Sequence, residues 1–141
     1  MARIIAIDYG LKRTGLAVTD PLQIIATGLT TIASGELIRY LKDYFSREAV
    51  ELIVIGEPKN WDDTDTHATP LVRNIIKKIK KEFPSMPILP VDERYTSKMA
   101  SQAMIDMGLK KMQRRNKALI DEIAATIILQ EYLRNLPGKF S

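Results

Sequence analysis

A carboxylate stands where a strand should end. The run Arg3-Ile4-Ile5-Ala6-Ile7 is apolar and β-rich. It breaks at Asp8-Tyr9-Gly10, before a second such run at Gly15-Leu16-Ala17-Val18. A buried strand would fix the position of Asp8 and leave only a turn beyond it, an arrangement that suits a metal ligand or a phosphate-facing group. Turn chemistry accounts for the residue equally well, because Asp commonly bonds the backbone amides that follow it.

Two further acids stand at element ends. Asp92-Glu93-Arg94 closes a short run, Ile88 to Val91. Under strand alternation Val91 and Glu93 share one face and Pro90 and Asp92 the other, and spacing alone leaves open which face points inward. The ordinary reading of such strand-end charges is that they face water. Asp121 is the sharper case. On a helix its neighbours at i+3 and i+4 are Ala124 and Ala125, with Ile128 and Tyr132 beyond, so it lies on or beside the apolar stripe. A carboxylate there costs free energy unless a cation or hydrogen-bond donors meet it. The two alanines would let the helix approach a sheet closely. A place in the first turn of the helix is the alternative reading of Asp121. Glu122 falls nearer Thr126 and is expected on the solvent side.

Three acids on strand ends and a helix can converge at one edge of a sheet. Such a cluster repels itself and calls for divalent cations. Mg²⁺ prefers carboxylate oxygens, water and substrate phosphate, and Mn²⁺ is the alternative ion. Two ions about 4 Å apart can activate water and stabilise the leaving oxygen of a phosphodiester, so the chemistry implied is phosphodiester hydrolysis. Lys110, Lys111, Arg114, Arg115 and Lys117 immediately precede the helix that bears Asp121 and are candidate phosphate contacts. A solvated connector is the ordinary alternative for such a charge run. Lys77, Lys78, Lys80 and Lys81 are expected on the wet face of a helix. Trp61 is expected to pack over a loop, with stacking on an unpaired base as the alternative. His67 is expected at the surface.

The elements that must position these residues follow from local patterning. Strands are predicted over 3–8, 15–20 and 26–32, close enough in sequence for an antiparallel meander. Ser34-Gly35-Glu36 opens a helix along which Leu37, Leu41, Tyr44 and Phe45 recur at helical spacing. Leu52-Ile53-Val54-Ile55, within a strand over 51–56, is a continuous apolar run of the kind buried on both faces. A loop over 58–67 follows. Thr69-Pro70 then pairs an N-cap with a proline at the first helical position. Leu71, Val72, Ile75, Ile76 and Ile79 form one stripe of that helix. A fifth strand covers 88–91, a helix runs from Thr96 to Met107 with Gly108 as its stop, and a last helix ends near Leu136. The order β-β-β-α-β-α-β-α-α implies an α/β domain with a mixed sheet and helices on both faces.

The bulk properties narrow the possibilities. A chain of 141 residues suits one domain, taken as 1–141, and 45% hydrophobic with 27% charged residues is ordinary for a globular protein. With no cysteine and one histidine, disulfides, thiolate metal sites and multi-histidine zinc sites are excluded. No apolar run approaches the roughly 20 residues of a membrane span and no signal-peptide pattern opens the chain, so the cytoplasm is the expected location and no membrane partner is expected. A charge of +4 and a pI near 9.3 are compatible with a polyanionic partner.

Three motifs carry a resemblance. Asp8-Tyr9-Gly10-Leu11-Lys12-Arg13-Thr14-Gly15-Leu16-Ala17, Asp92-Glu93-Arg94-Tyr95-Thr96-Ser97 and Asp121-Glu122-Ile123-Ala124-Ala125-Thr126-Ile127-Ile128-Leu129-Gln130 resemble, in order and spacing, the motifs of the YqgF family, also called RuvX. The resemblance covers nearly the whole chain. It implies an RNase H-like fold, with a three-stranded antiparallel meander plus two parallel strands. It implies a nuclease acting in 5′-end maturation of pre-16S rRNA, or alternatively a Holliday junction resolvase acting on branched DNA, in either case with a nucleic-acid partner. It implies that Asp8, Glu93 and Asp121 are catalytic and metal-binding, and that Arg13 contacts the nucleic-acid backbone. Arg94, within the second motif, joins the candidate phosphate contacts. One departure is local: the family commonly has Gly-Leu-Pro after the central strand, and this chain has Gly56-Glu57-Pro58. Glu57 is either a fourth acid near the site or a neutral substitution at the loop start.

Other functions compete. An Asp-x-Gly turn between strands also opens the phosphate site of actin-like ATPases, but those proteins close a second lobe on the nucleotide and this chain has one such turn. A non-catalytic nucleic-acid-binding or ribosome-associated module would keep the acids for structure. A resolvase is expected to be a two-fold dimer and the other readings allow a monomer.

Overall fold

The structure is a computed structural model and describes residues 2–57, 69–92, 102 and 117–134. Five strands form one sheet in the order β3-β2-β1-β4-β5: β1 (Arg3–Tyr9), β2 (Arg13–Thr19), β3 (Ala26–Ala33), β4 (Val50–Glu57) and β5 (Ile88–Asp92). β1, β2 and β3 pair antiparallel, whereas β4 pairs parallel to both β1 and β5. The mixed sheet expected from the sequence is therefore present, meander and parallel pair included. β2 begins two residues earlier than its apolar run suggests. The hairpin is tight, with the Gly10 N–H donating to the Arg13 carbonyl at 3.0 Å, so pairing continues out to Tyr9 opposite Thr14. Pro90, which has no N–H to give a ladder, sits in the edge strand β5.

Alternation along the central strands divides the core into two layers. Ile5, Ile7, Leu16, Val18, Ile53 and Ile55 face α1 (Leu37–Arg47) and α2 (Thr69–Glu82) and pack with Leu37, Leu41, Tyr44, Val72, Ile75, Ile76 and Ile79. Ile4, Ala6, Ala17 and Val54 face the opposite way, onto α3 (Lys117–Arg134), and pack with Ala125, Ile128, Leu129 and Leu133. Burial of both faces explains why β1 and β4 are continuous apolar runs. On α2, Val72, Ile75, Ile76 and Ile79 of the predicted stripe are buried and Leu71 is partly buried, while Lys77, Lys78, Lys80 and Lys81 are exposed, as the helical spacing predicts. Ser34 does not cap α1. It starts a 3₁₀ turn, Ser34–Glu36, and its side chain is used elsewhere. Of the predicted helix over 96–107 only Gln102 is described, and it is helical; Trp61 and His67 lie outside the described residues. Among the described residues no helix is long and apolar enough to cross a membrane.

The two faces differ in side-chain size. The α1/α2 face carries Ile and Leu, while the middle of the α3 face of the meander pairs small residues: Ala6 opposite Ala17, Ala17 opposite Gly28, and Gly15 opposite Thr31. A β-bulge at Leu29 helps, because Leu16 pairs with Thr30 and Ala17 with Gly28, which turns Gly28 towards α3. α3 lies over β2, with β3 and β1 to either side. A methyl group added at Gly15 would overlap the backbone carbonyl of Asp121, and one at Gly28 would meet the Glu122 carboxylate. Glu122 is thus partly buried over β3, not on the solvent side that helical spacing suggests, because the glycine below makes room for it.

The two glycines should respond differently to substitution. Gly15→Ala collides with helix backbone, which cannot move without lifting α3, and is expected to cost about 3 kcal/mol; Gly28→Ala meets a flexible carboxylate and should cost about 1 kcal/mol. Urea unfolding of the two variants measures both, and equal costs would show that α3 does not rest on Gly15.

Candidate active site

Asp8 ends the even-numbered face of β1, after Ile4 and Ala6, and so lies on the α3 side of the sheet, half-buried. Directly across the ladder is Gly15, and across from Gly15 is Thr31. This row of three residues seats the start of α3. The Thr31 hydroxyl donates to the Ala118 carbonyl at 2.5 Å, and Gly15 lies against the Asp121 backbone. Antiparallel partners are about 4.5–5.5 Å apart at Cα, so the strand that bears Asp8 is one ladder step from the point where Asp121 touches the sheet. Asp121 lies one turn inside α3 from Lys117, with Ala125, one turn on, fully buried against the sheet. The two acids come from residues 113 positions apart (121 − 8) yet share one face.

The cation that a carboxylate beside an apolar stripe requires is supplied by Arg13. Its Nε–H donates to Asp121 Oδ2 at 2.9 Å, with side-chain exposures of 40% for Arg13 and 22% for Asp121. Arg13 opens β2 on the same face as Gly15 and Ala17. Its backbone is held by the hairpin, and the hairpin is held by Ser34. The Ser34 N–H donates to the Lys12 carbonyl at 3.0 Å, and its hydroxyl donates to the Gly10 carbonyl at 2.5 Å. With that proton committed, the buried Thr14 hydroxyl is the donor in its 2.8 Å contact with Ser34 Oγ. One buried serine at the β3–α1 junction thus fixes the turn that carries the arginine.

Glu57 is not part of this group. It follows Ile53 and Ile55 onto the other face, where its carboxylate lies 3.7 Å from an Arg73 guanidinium nitrogen on α2. The departure from Gly-Leu-Pro is thereby a change at the opposite face of the sheet. Val91 packs in the α3 layer, which answers which face of β5 points towards Asp8. Glu93, Arg94, Lys110, Lys111, Arg114 and Arg115 lie outside the described residues, and Lys117 opens α3. Among the described residues no three Asp, Glu, His or Cys side chains gather as a metal site, so the described part brings two of the three predicted acids to one face. Their chemistry fits a hard cation, because both side chains offer only carboxylate oxygen. Ser34 and Thr31 were invisible to motif reasoning. A serine before a helix ordinarily signals a cap, and a threonine in an edge strand ordinarily signals nothing.

Known proteins share this chain's sequence and fold. The RuvX family, described as "Holliday junction resolvase", matches residues 2–135. A protein of Christiangramia forsetii is 59% identical over 133 residues, covering 94% of this chain and 98% of its own length. One of Porphyromonas gingivalis is 52% identical over 135 residues, covering 96% and 98%. Both carry the name "Putative pre-16S rRNA nuclease". Among solved structures, "T. thermophilus RuvC in complex with Holliday junction substrate" superposes with a TM-score of 0.56 at 16% identity, over 99% of this chain and 98% of that one. The fold is therefore RNase H-like, as the motifs imply.

Ser34→Ala leaves the Gly10 carbonyl and the Thr14 hydroxyl without their partner. It is expected to destabilise the protein by about 2 kcal/mol and to speed amide exchange at Gly10. Unchanged exchange there would show that the turn does not depend on Ser34.

Proposed function

The chain belongs to the RuvX family, and from that premise we propose that it is a metal-dependent nuclease whose natural substrate is precursor 16S rRNA. It hydrolyses phosphodiester bonds of nucleic acid. The observation that carries the reading is that Asp8, at the tip of the central strand, and Asp121, one turn inside α3, lie on the same face of the sheet, each beside Gly15 of β2. Asp8, Asp121 and Glu93 are the residues proposed to hold Mg²⁺ or Mn²⁺. Two rigid elements would present the first two carboxylates from one side, and Val91, packed in the α3 layer, supports Glu93 as the third. A divalent ion bound there supplies Lewis-acid activation of water and neutralises charge at the scissile phosphate.

The rest of the work falls to the chain itself. β1 and α3 hold the acids through packed backbone, so the acids themselves need little reorganisation to bind an ion. Arg13, Arg94 and the cations between 110 and 117 are proposed to engage substrate phosphates, which gives affinity that is largely sequence-independent and falls with salt. Relatives at half or more identity carry an rRNA-processing name, whereas the family description names junction resolution. The closer relatives favour RNA. An rRNA substrate also supports a cytoplasmic location.

Asp8→Asn, Glu93→Gln and Asp121→Asn are each expected to lower Mg²⁺- or Mn²⁺-dependent cleavage by roughly a hundredfold or more while leaving the circular dichroism spectrum unchanged. Cleavage by all three at the parental rate would remove the site assignment. Side-by-side assays on precursor 16S rRNA and on four-way DNA junctions decide the substrate. Preferential, paired symmetric cutting of junctions by a two-fold dimer would overturn the rRNA reading.

A further inference from the structure

Arg13 and Asp121 form an ion pair between groups of unequal freedom. The Asp121 backbone is pressed on Gly15, and only 22% of its side chain is exposed. The Arg13 backbone is fixed by the Gly10 and Ser34 hydrogen bonds, but its long side chain is 40% exposed and reaches Asp121 through Nε alone in the recorded contact. If a divalent cation takes Oδ2, the guanidinium cannot keep that oxygen, and its own charge is repelled by the newcomer. The side chain that can move is the arginine. A part-exposed pair of this kind is weak, so displacing it costs little.

We propose that Arg13 is a resident counter-ion for Asp121 that a divalent cation displaces, and that displacement delivers the guanidinium to a substrate phosphate. This rests on the reading of Asp121 as a metal ligand. Metal and arginine then compete for one carboxylate oxygen in the absence of nucleic acid. Once the ion is bound, the freed guanidinium stays beside the site, because its backbone cannot leave. Guanidinium matches phosphate geometry as well as it matches carboxylate, so the same side chain serves both states. Lys12, next to it on the exposed turn, provides the comparison, as it carries the same charge on an exposed side chain.

Calorimetric titration of the full chain with Mn²⁺, without nucleic acid, tests the exchange. Arg13→Gln is expected to bind Mn²⁺ roughly two- to fivefold more tightly than the parent, the worth of a part-exposed ion pair. Lys12→Gln should bind as the parent does, and Asp121→Asn should lose binding at that site. Unchanged or weaker binding by Arg13→Gln overturns the inference, as does equal tightening in Lys12→Gln, which would mark a general charge effect. Parental binding by Asp121→Asn overturns the metal reading instead. A second measurement needs no Arg13 variant that folds: the Arg13 Nε–H resonance of the parent, followed while Mg²⁺ is added. It should shift and exchange faster with water. If it stays in place while the Asp121 carboxyl carbon shifts, there is no exchange of partners; if neither moves, Asp121 is not a ligand.

Discussion

The carbonyl of Asp121 rests on the bare backbone of Gly15, and the placement of the site follows from that contact. A helix packed on a sheet normally stands off by the depth of the side chains between them. Here the middle of the α3 face carries Gly15, Gly28, Ala6 and Ala17, and the helix answers with Ala125. Removing side-chain volume from both partners brings Asp121 down to the level of the strand tips. With a larger residue at position 15 the acid would be lifted away from Asp8, and the Arg13 guanidinium would no longer meet it.

Close approach has an electrostatic consequence. A carboxylate brought against an apolar layer must be compensated locally, since water reaches it from one side only. Arg13 provides that compensation at 2.9 Å, and its turn is anchored by Ser34, whose hydroxyl donates to the Gly10 carbonyl. The opposite face shows the same physics with another outcome. Glu57 sits at the end of β4 beside Arg73, an ion pair between a strand end and α2 that meets the charge where it stands. Two acids at neighbouring strand tips therefore belong to different neighbourhoods, and the pleat alone separates them.

Most of the fold was legible because its signals are local and strong. Continuous apolar runs at Ile4–Ile7 and Leu52–Ile55 mark strands buried on both faces, and the α2 stripe separates cleanly from its lysines. Local patterning falls short where a residue meets a non-local partner. Ser34 opens the helical segment as its sequence suggests, but its hydroxyl bonds the Gly10 carbonyl. Glu122 looks solvent-facing by helical position but lies over a glycine of β3. β2 starts at Arg13, ahead of its own hydrophobic run, because pairing with β1 extends the strand.

The sequence by itself determined the elements, their order, and the identity of Asp8 and Asp121 as acids in unusual places. It did so because period and residue type act over a few positions along the chain. The face of the sheet on which each acid falls, the glycine on which α3 rests, the exclusion of Glu57 and the pairing of Arg13 with Asp121 were decided by the tertiary structure alone. Each depends on which groups meet when separate elements pack together, as the side-chain pair of Arg13 and Asp121, 108 residues apart, shows, and no spacing rule along the chain encodes such a contact.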